Sequence, residues 1–134
     1  MEAHMKILVG YDYSTVTQDV LALAKKHAQA FKAEVHLLRS LEQGPELNRE
    51  AIQQAEQNLD HVKREFATLA LACDTHVVVS ALSAGEDIVQ FAEQNSIDLI
   101  VIGVRRRSKV GKLLFGSNAQ LIILTAPCPV LTVK

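Results

Sequence analysis

Short, continuously apolar runs alternate with longer stretches of helical period along the chain, and no other feature constrains the fold as strongly. The runs are Lys6 to Gly10, Glu34 to Arg39, Thr75 to Ser80, Asp98 to Ile102 and Val130 to Val133, all rich in Val, Ile and Leu. A strand that is apolar at successive positions, not only at alternate ones, is covered on both faces, which is the situation of a parallel sheet wrapped by crossover helices. The segments between the runs supply those helices. Val16, Val20, Leu23, Ala24, His27, Ala28 and Phe31 recur at helical spacing as one stripe, with Ser14 ahead of it as N-cap. Ile52, Ala55, Leu59, Val62, Phe66 and Leu69 form a second stripe after the breaker Gly44-Pro45. This second spacing also fits a coiled-coil seam, but over so short a length between two strands it reads as packing onto a sheet. Ser83 and Glu86 have capping-box spacing at the head of a third helix, and Ser117 and Gln120 repeat it at the head of a fourth. The expected architecture is α/β, a single doubly wound domain over residues 5–134 with five parallel strands and helices on both faces. Met1 to His4 read as an extension ahead of a second start at Met5.

A chain of 134 residues is long enough to bury one core without disulfides or a structural metal. Tryptophan is absent and aromatic residues make up 4%, which leaves little from which to build stacking platforms for bases. With a net charge of -1, a general nucleic-acid surface is disfavoured as well. No apolar run approaches the roughly 18 to 20 residues of a membrane-spanning helix, and no signal peptide is recognisable, so a cytoplasmic protein is expected. Cys73 and Cys128 have no CxxC or metal-ligand spacing and read as buried, reduced thiols.

Functional chemistry concentrates late in the chain. Five of the fourteen Lys and Arg residues fall between Arg105 and Lys112, no acid lies among them, and Gly103 and Gly116 bracket them. This segment reads as one long irregular loop, and loops of that length inside a compact domain are usually functional. It follows the fourth strand directly. In a doubly wound sheet, ligands bind beyond the carboxyl ends of the strands, where Gly10-Tyr11-Asp12, Arg39-Ser40 and Gly103 all fall. Gly116-Ser117 then opens the fourth helix, whose unsatisfied NH groups and positive dipole end suit an anion. Backbone donors of Gly116, Ser117 and Asn118 can ligate phosphate oxygens there. Neither GxGxxG nor a Walker pattern is present.

Gly103, two residues, Arg106, nine residues and Gly116-Ser117 together resemble the Gly-two-Gly-nine-Gly-Ser/Thr signature of ATP-binding universal stress proteins. The likeness extends to Asp12-Tyr13-Ser14, to DLIVIG as the fourth strand and to the closing APCPVLTVK. It implies strand order 3-2-1-4-5 and a homodimer formed through the last strand. It also implies adenine near Asp12 and Ser40, with ribose and phosphates near Ile102, Gly103, position 106, Gly116, Ser117 and Asn118. Arg106 departs from the signature by standing where its second glycine would be. Guanidinium is a good bidentate phosphate ligand, whereas a glycine-like backbone angle would strain an arginine.

The remaining candidates are weaker. Asp12 could accept from a base or ribose, approach a phosphate-bound metal, or cap the first helix. His27, His36, His61 and His76 are dispersed, without ligand spacing, and read as structural. Ser14, Thr15 and Thr17 suggest a flavin phosphate loop but lack aromatic partners, and a phosphorylation receiver would need acids that the first and third strands do not carry. The leading expectation is a regulatory module that binds ATP or a related adenine nucleotide, with magnesium, and whose loop presents a surface to a protein partner. Two alternatives stay open: a nucleotide-free homodimeric interaction protein whose basic loop docks an acidic partner, and a weak magnesium-dependent ATPase using Asp12. Dedicated catalysis is not expected, since no nucleophile and base pair is evident.

Overall fold

The computed structural model describes residues 4–12, 16–104, 106–107, 113–114 and 116–134, the two short pairs by their backbone alone. Five strands form one parallel sheet: β1 (Lys6–Gly10), β2 (Glu34–Glu42), β3 (Cys73–Ser80), β4 (Leu99–Gly103) and β7 (Val130–Val133). Their order is β3-β2-β1-β4-β7, which is 3-2-1-4-5 counted along this sheet. Four helices connect them: α1 (Thr17–Phe31), α2 (Arg49–Thr68), α3 (Ala84–Gln94) and α4 (Ser117–Thr125).

Alternating side chains sort the strands between two cores. Ile7, Val9, Val35, Leu37 and Val101 face α1 and α2, where they meet Val20, Leu21, Leu59, Val62 and Phe66. Leu8, Leu38, Ile100 and Ile102 face the other way, against Ile88 and Ala92 of α3 and Ile122 of α4. Burying each large apolar side chain stabilises the fold by about 1.5 to 3 kcal/mol relative to exposure, and this double coverage is why the strands look apolar at successive positions.

Several boundaries differ from expectation for identifiable reasons. β2 runs on to Glu42 because β3 continues beside it, pairing Ser40 with Val78 and Glu42 with Ser80. Asp98 lies outside β4, where its Oδ2 accepts from the Lys6 backbone N–H at 2.8 Å. At the end of α1, Phe31 is 56% exposed, since the apolar stripe drifts off the sheet by the last turn. Leu69, at the end of the α2 stripe, follows the last helical residue and is also exposed. Residues 103–116 are not wholly irregular: β5 (Arg106–Arg107) pairs antiparallel with β6 (Leu113–Leu114). Ser14, expected as the α1 cap, lies outside the described residues; Val16 occupies the cap position with no side-chain hydrogen bond.

The cysteines are free thiols. Burial pushes Cys73 up to about 11, and burial together with the charge of Asp98 raises Cys128. Among the described residues, no helix is long and apolar enough to cross a membrane.

Candidate functional site

The carboxyl ends of β1, β2 and β4 stop beneath the heads of α3 and α4, and the space between them is a cleft with two hollows. The first, of about 120 Å³, is walled by apolar groups of Leu38, Ile88, Ile102 and Ile122 and rimmed by Asp12, Arg39, Ser40 and Asn118. The second, of about 240 Å³, is bounded by Asp12, Gly103, Val104, Gly116, Ser117, Asn118 and Ala119. Asp12, Gly103, Asn118 and Ala119 belong to both, so the hollows adjoin. An apolar slot opening onto a polar chamber suits a ligand with a flat apolar end and a polar tail.

The head of α4 forms one wall of the polar chamber. Ser117 is its first helical residue, and Gly116 takes the cap position at φ -65° and ψ 161°, with no side-chain cap hydrogen bond among the described residues. The capping box expected at Ser117 and Gln120 is therefore absent. The chain enters this helix one residue earlier, and Gln120 N–H donates to the Gly116 carbonyl as an ordinary helical bond. With no side-chain cap, the NH groups of the first turn and the positive end of the helix dipole are left toward the chamber. A Cβ built on Gly116 would meet nothing within 4 Å, so the space there is open.

The α3 head is treated differently. Ser83 caps it, accepting from Glu86 N–H at 3.2 Å, while its hydroxyl pairs with the Glu86 carboxylate at 3.1 Å. The glutamate thus meets the serine side chain and not its backbone, a variation on the expected box. The Gly85 N–H donates to Asn118 Oδ1 at 2.9 Å, tying the two helix heads together. Asp12 receives the hydroxyl of Thr17, 2.7 Å from its carbonyl oxygen and 3.1 Å from Oδ1, which anchors the start of α1 to the end of β1.

Of the residues singled out from sequence, Asp12, Ser40, Ile102, Gly103, Gly116, Ser117 and Asn118 line this one cleft. Arg106 lies in β5, three positions after Gly103, and its side chain is outside the described residues.

Sequence reasoning passed over Asp87. It is 4% exposed on α3 and accepts from two hydroxyls: Ser40 at 2.6 Å to Oδ2, and Ser80 at 2.8 Å to Oδ1 and 2.9 Å to Oδ2. A serine late in each of two strands, with an acid in the first turn of the helix that follows the second, was the only signal available.

His36 and His76, dispersed in sequence, are neighbours in space. Their ring nitrogens Nδ1 and Nε2 are 3.1 Å apart, the rings stack at 5.3 Å between centroids, and Phe91 of α3 lies 4.6 Å from His76. Burial and the facing His36 lower the His76 pKa against the opposing pull of Asp74. Among the described residues, no group of three or more His, Cys, Asp or Glu side chains could hold a metal ion.

Comparison with known proteins agrees with this fold. A universal stress protein from Archaeoglobus fulgidus superposes with a TM-score of 0.86 at 33% identity, covering 98% of this chain and 100% of that one. The universal stress protein from Archaeoglobus fulgidus solved in complex with dAMP gives a TM-score of 0.82 at 30% identity, covering 98% of each chain. A universal stress protein of Thermus aquaticus, encoded 3′ of the QAH/OAS sulfhydrylase, is 32% identical over 133 residues, covering 96% of this chain and 97% of its own. The profile of the universal stress protein family matches residues 4–134, nearly the whole sequence, so the fold, the strand order and the sequence agree that the chain belongs to the universal stress protein family.

Proposed function

We propose that this chain is a cytoplasmic regulatory module that binds an adenine nucleotide, with ATP and its accompanying magnesium as the ligand. The observation that carries the reading is the head of α4, without a side-chain cap among the described residues, beside a polar chamber that adjoins an apolar slot. The relative solved with dAMP, 30% identical over 98% of this chain, supports it. In this reading Asp12 and Ser40 flank the base, while Ile102 and Gly103 sit against the ribose. The amides of Gly116, Ser117 and Asn118, with the Arg106 guanidinium, hold the phosphates, which is the usual way a helix N-terminus and an arginine share an anion. Asp12, the one acid among the described residues that line both hollows, would face a phosphate-bound magnesium in this reading.

A ligand shifts an equilibrium only through contacts it makes in one state and not in the other, and in this reading the nucleotide-bound state presents a different surface to a stress-response partner. A homodimer through β7 completes the module.

Calorimetric titration of the full chain with ATP, with and without magnesium, tests the reading. Saturable binding of one nucleotide per chain is expected, and weaker binding by Arg106→Gly if the guanidinium is a ligand. No heat and no retained nucleotide in either condition would leave the nucleotide-free reading in its place. Phosphate release followed over hours separates a binding module from a slow hydrolase.

A further inference from the structure

We propose that Asp87, acting through Ser40, sets which base edge the apolar slot accepts, favouring an exocyclic amino group over a carbonyl; this rests on the nucleotide reading above. A serine hydroxyl carries one proton and two lone pairs. In Ser40 the proton is committed: Oγ lies 2.6 Å from Asp87 Oδ2, a length expected of a hydroxyl donating to an ionised carboxylate, which has no proton to give in return. Ser80 occupies the rest of that carboxylate, and its own oxygen is used by the Leu82 N–H at 3.1 Å. Ser40 Oγ, by contrast, accepts from no donor among the described residues, and Ser40 lines the slot.

Ser40 lines the slot, so in this inference its oxygen meets the ligand there as an acceptor with no proton to offer. Asp87 can hold it that way because serine hydroxyls engage both of its oxygens and fix the carboxylate against Ser40. A base edge that donates here completes the bond. One that brings a carbonyl oxygen sets lone pairs against lone pairs and leaves both groups unpaired in a partly dehydrated slot. Asp87 is a positioning residue, and Ser40 is the group that meets the ligand.

The test uses AMP and IMP, which differ by an amino or an oxo group at C6, titrated into the full chain and three variants. The wild type is expected to prefer AMP by roughly tenfold or more, the usual penalty for an unmatched buried polar group. Ser40→Ala removes the acceptor and should bring the two affinities within about threefold. Asp87→Asn offers the Ser40 oxygen an amide proton and frees its hydroxyl to rotate, so the same collapse is expected. Ser80→Ala takes a hydroxyl from the same carboxylate but touches no part of the slot, and should keep the preference. A merely structural role for Asp87 would lower both affinities together and leave their ratio intact. The proposal is overturned if the wild type binds AMP without preferring it, or if the ratio survives in Ser40→Ala or in folded Asp87→Asn. Should Asp87→Asn not fold, Ser40→Ala decides. If the wild type binds neither nucleotide, the nucleotide reading itself fails and this inference falls with it.

Discussion

A Cβ added at Gly85 would lie 3.0 Å from the carbonyl oxygen of Asn118 and 3.1 Å from its Cα, contacts with backbone that cannot swing aside. Gly85 is glycine because the heads of α3 and α4 approach each other there, close enough for its N–H to reach Asn118 Oδ1 at 2.9 Å. Gly85→Ala should force the helices apart and cost about 1 to 3 kcal/mol, read as a lower urea midpoint. Since Asn118 sits in the first turn of α4, nucleotide affinity should fall with it. Gly116 answers to a different constraint. Its backbone, at φ -65° and ψ 161°, is open to any residue, and a side chain there would meet nothing within 4 Å. Gly116→Val should therefore cost less than about 1 kcal/mol of stability, in line with an ordinary cap substitution. If the chamber holds phosphate, the same change should weaken nucleotide binding by at least about tenfold, because the added methyls occupy the space an anion needs to reach the amides. Unchanged affinity in calorimetry would put the ligand elsewhere.

Among the elements, α1, α2 and α3 each finish in a left-handed turn without a glycine: Lys32 at φ 53°, Ala70 at φ 56° and Ser96 at φ 52°. An L-residue pays roughly 1 to 2 kcal/mol for that conformation, so Ala70→Gly, on the exposed end of α2, should raise stability by about 0.5 to 1 kcal/mol and move the thermal midpoint up. The same absence of glycine hid the helix ends from sequence reading, whereas the strands were legible because double burial writes itself into every position. The heads of α3 and α4 were legible as helix starts, but not the choice of Gly116 over Ser117 as cap, which depends on how the chain arrives. Two-residue strands such as β5 and β6 are too short to carry a period. The residues that line the candidate cleft were legible through the rule that ligands gather at the carboxyl edge. Asp87 was not, since its partners Ser40 and Ser80 meet it only when two strands and a helix pack. The His36 and His76 pair is likewise a product of register between β2 and β3, where Leu38 lies beside His76 and His36 beside Asp74. Burial and the facing His36 hold His76 below its usual 6.5. An unfolded chain thus takes up this proton at higher pH than the folded one, so the contribution is whole above pH 6.5 and shrinks as pH falls through the folded value. The urea midpoint should drop on acidification below that point, and His76→Gln should flatten the slope relative to wild type.

At the scale of the molecule, the sheet leaves two edges, β3 and β7, with no further strand hydrogen-bonded to them among the described residues. Edge strands are templates for pairing unless something blunts them, and the two differ in what they carry. β3 contains Asp74 and His76, while β7, with the sequence VLTV, has no charged residue. The helix leading into β7 adds to the contrast: on α4, Ile123 is 40% and Leu124 75% exposed, which is apolar surface that one chain alone leaves in water. A second copy is the partner we propose for this end, its β7 lying against the first around a two-fold axis that makes the contact self-complementary. Thr132 is exposed in the middle of β7, so Thr132→Lys brings like charges together across that axis without disturbing either core. Leu124→Glu removes apolar surface that folding of one chain does not need. In sedimentation at tens of micromolar, the wild type is expected to run as two chains and Thr132→Lys combined with Leu124→Glu as one, with helical circular dichroism unchanged. A wild type that sediments as a single chain would sink the dimer, and would leave the exposed leucine and isoleucine of α4 to be covered by a different protein.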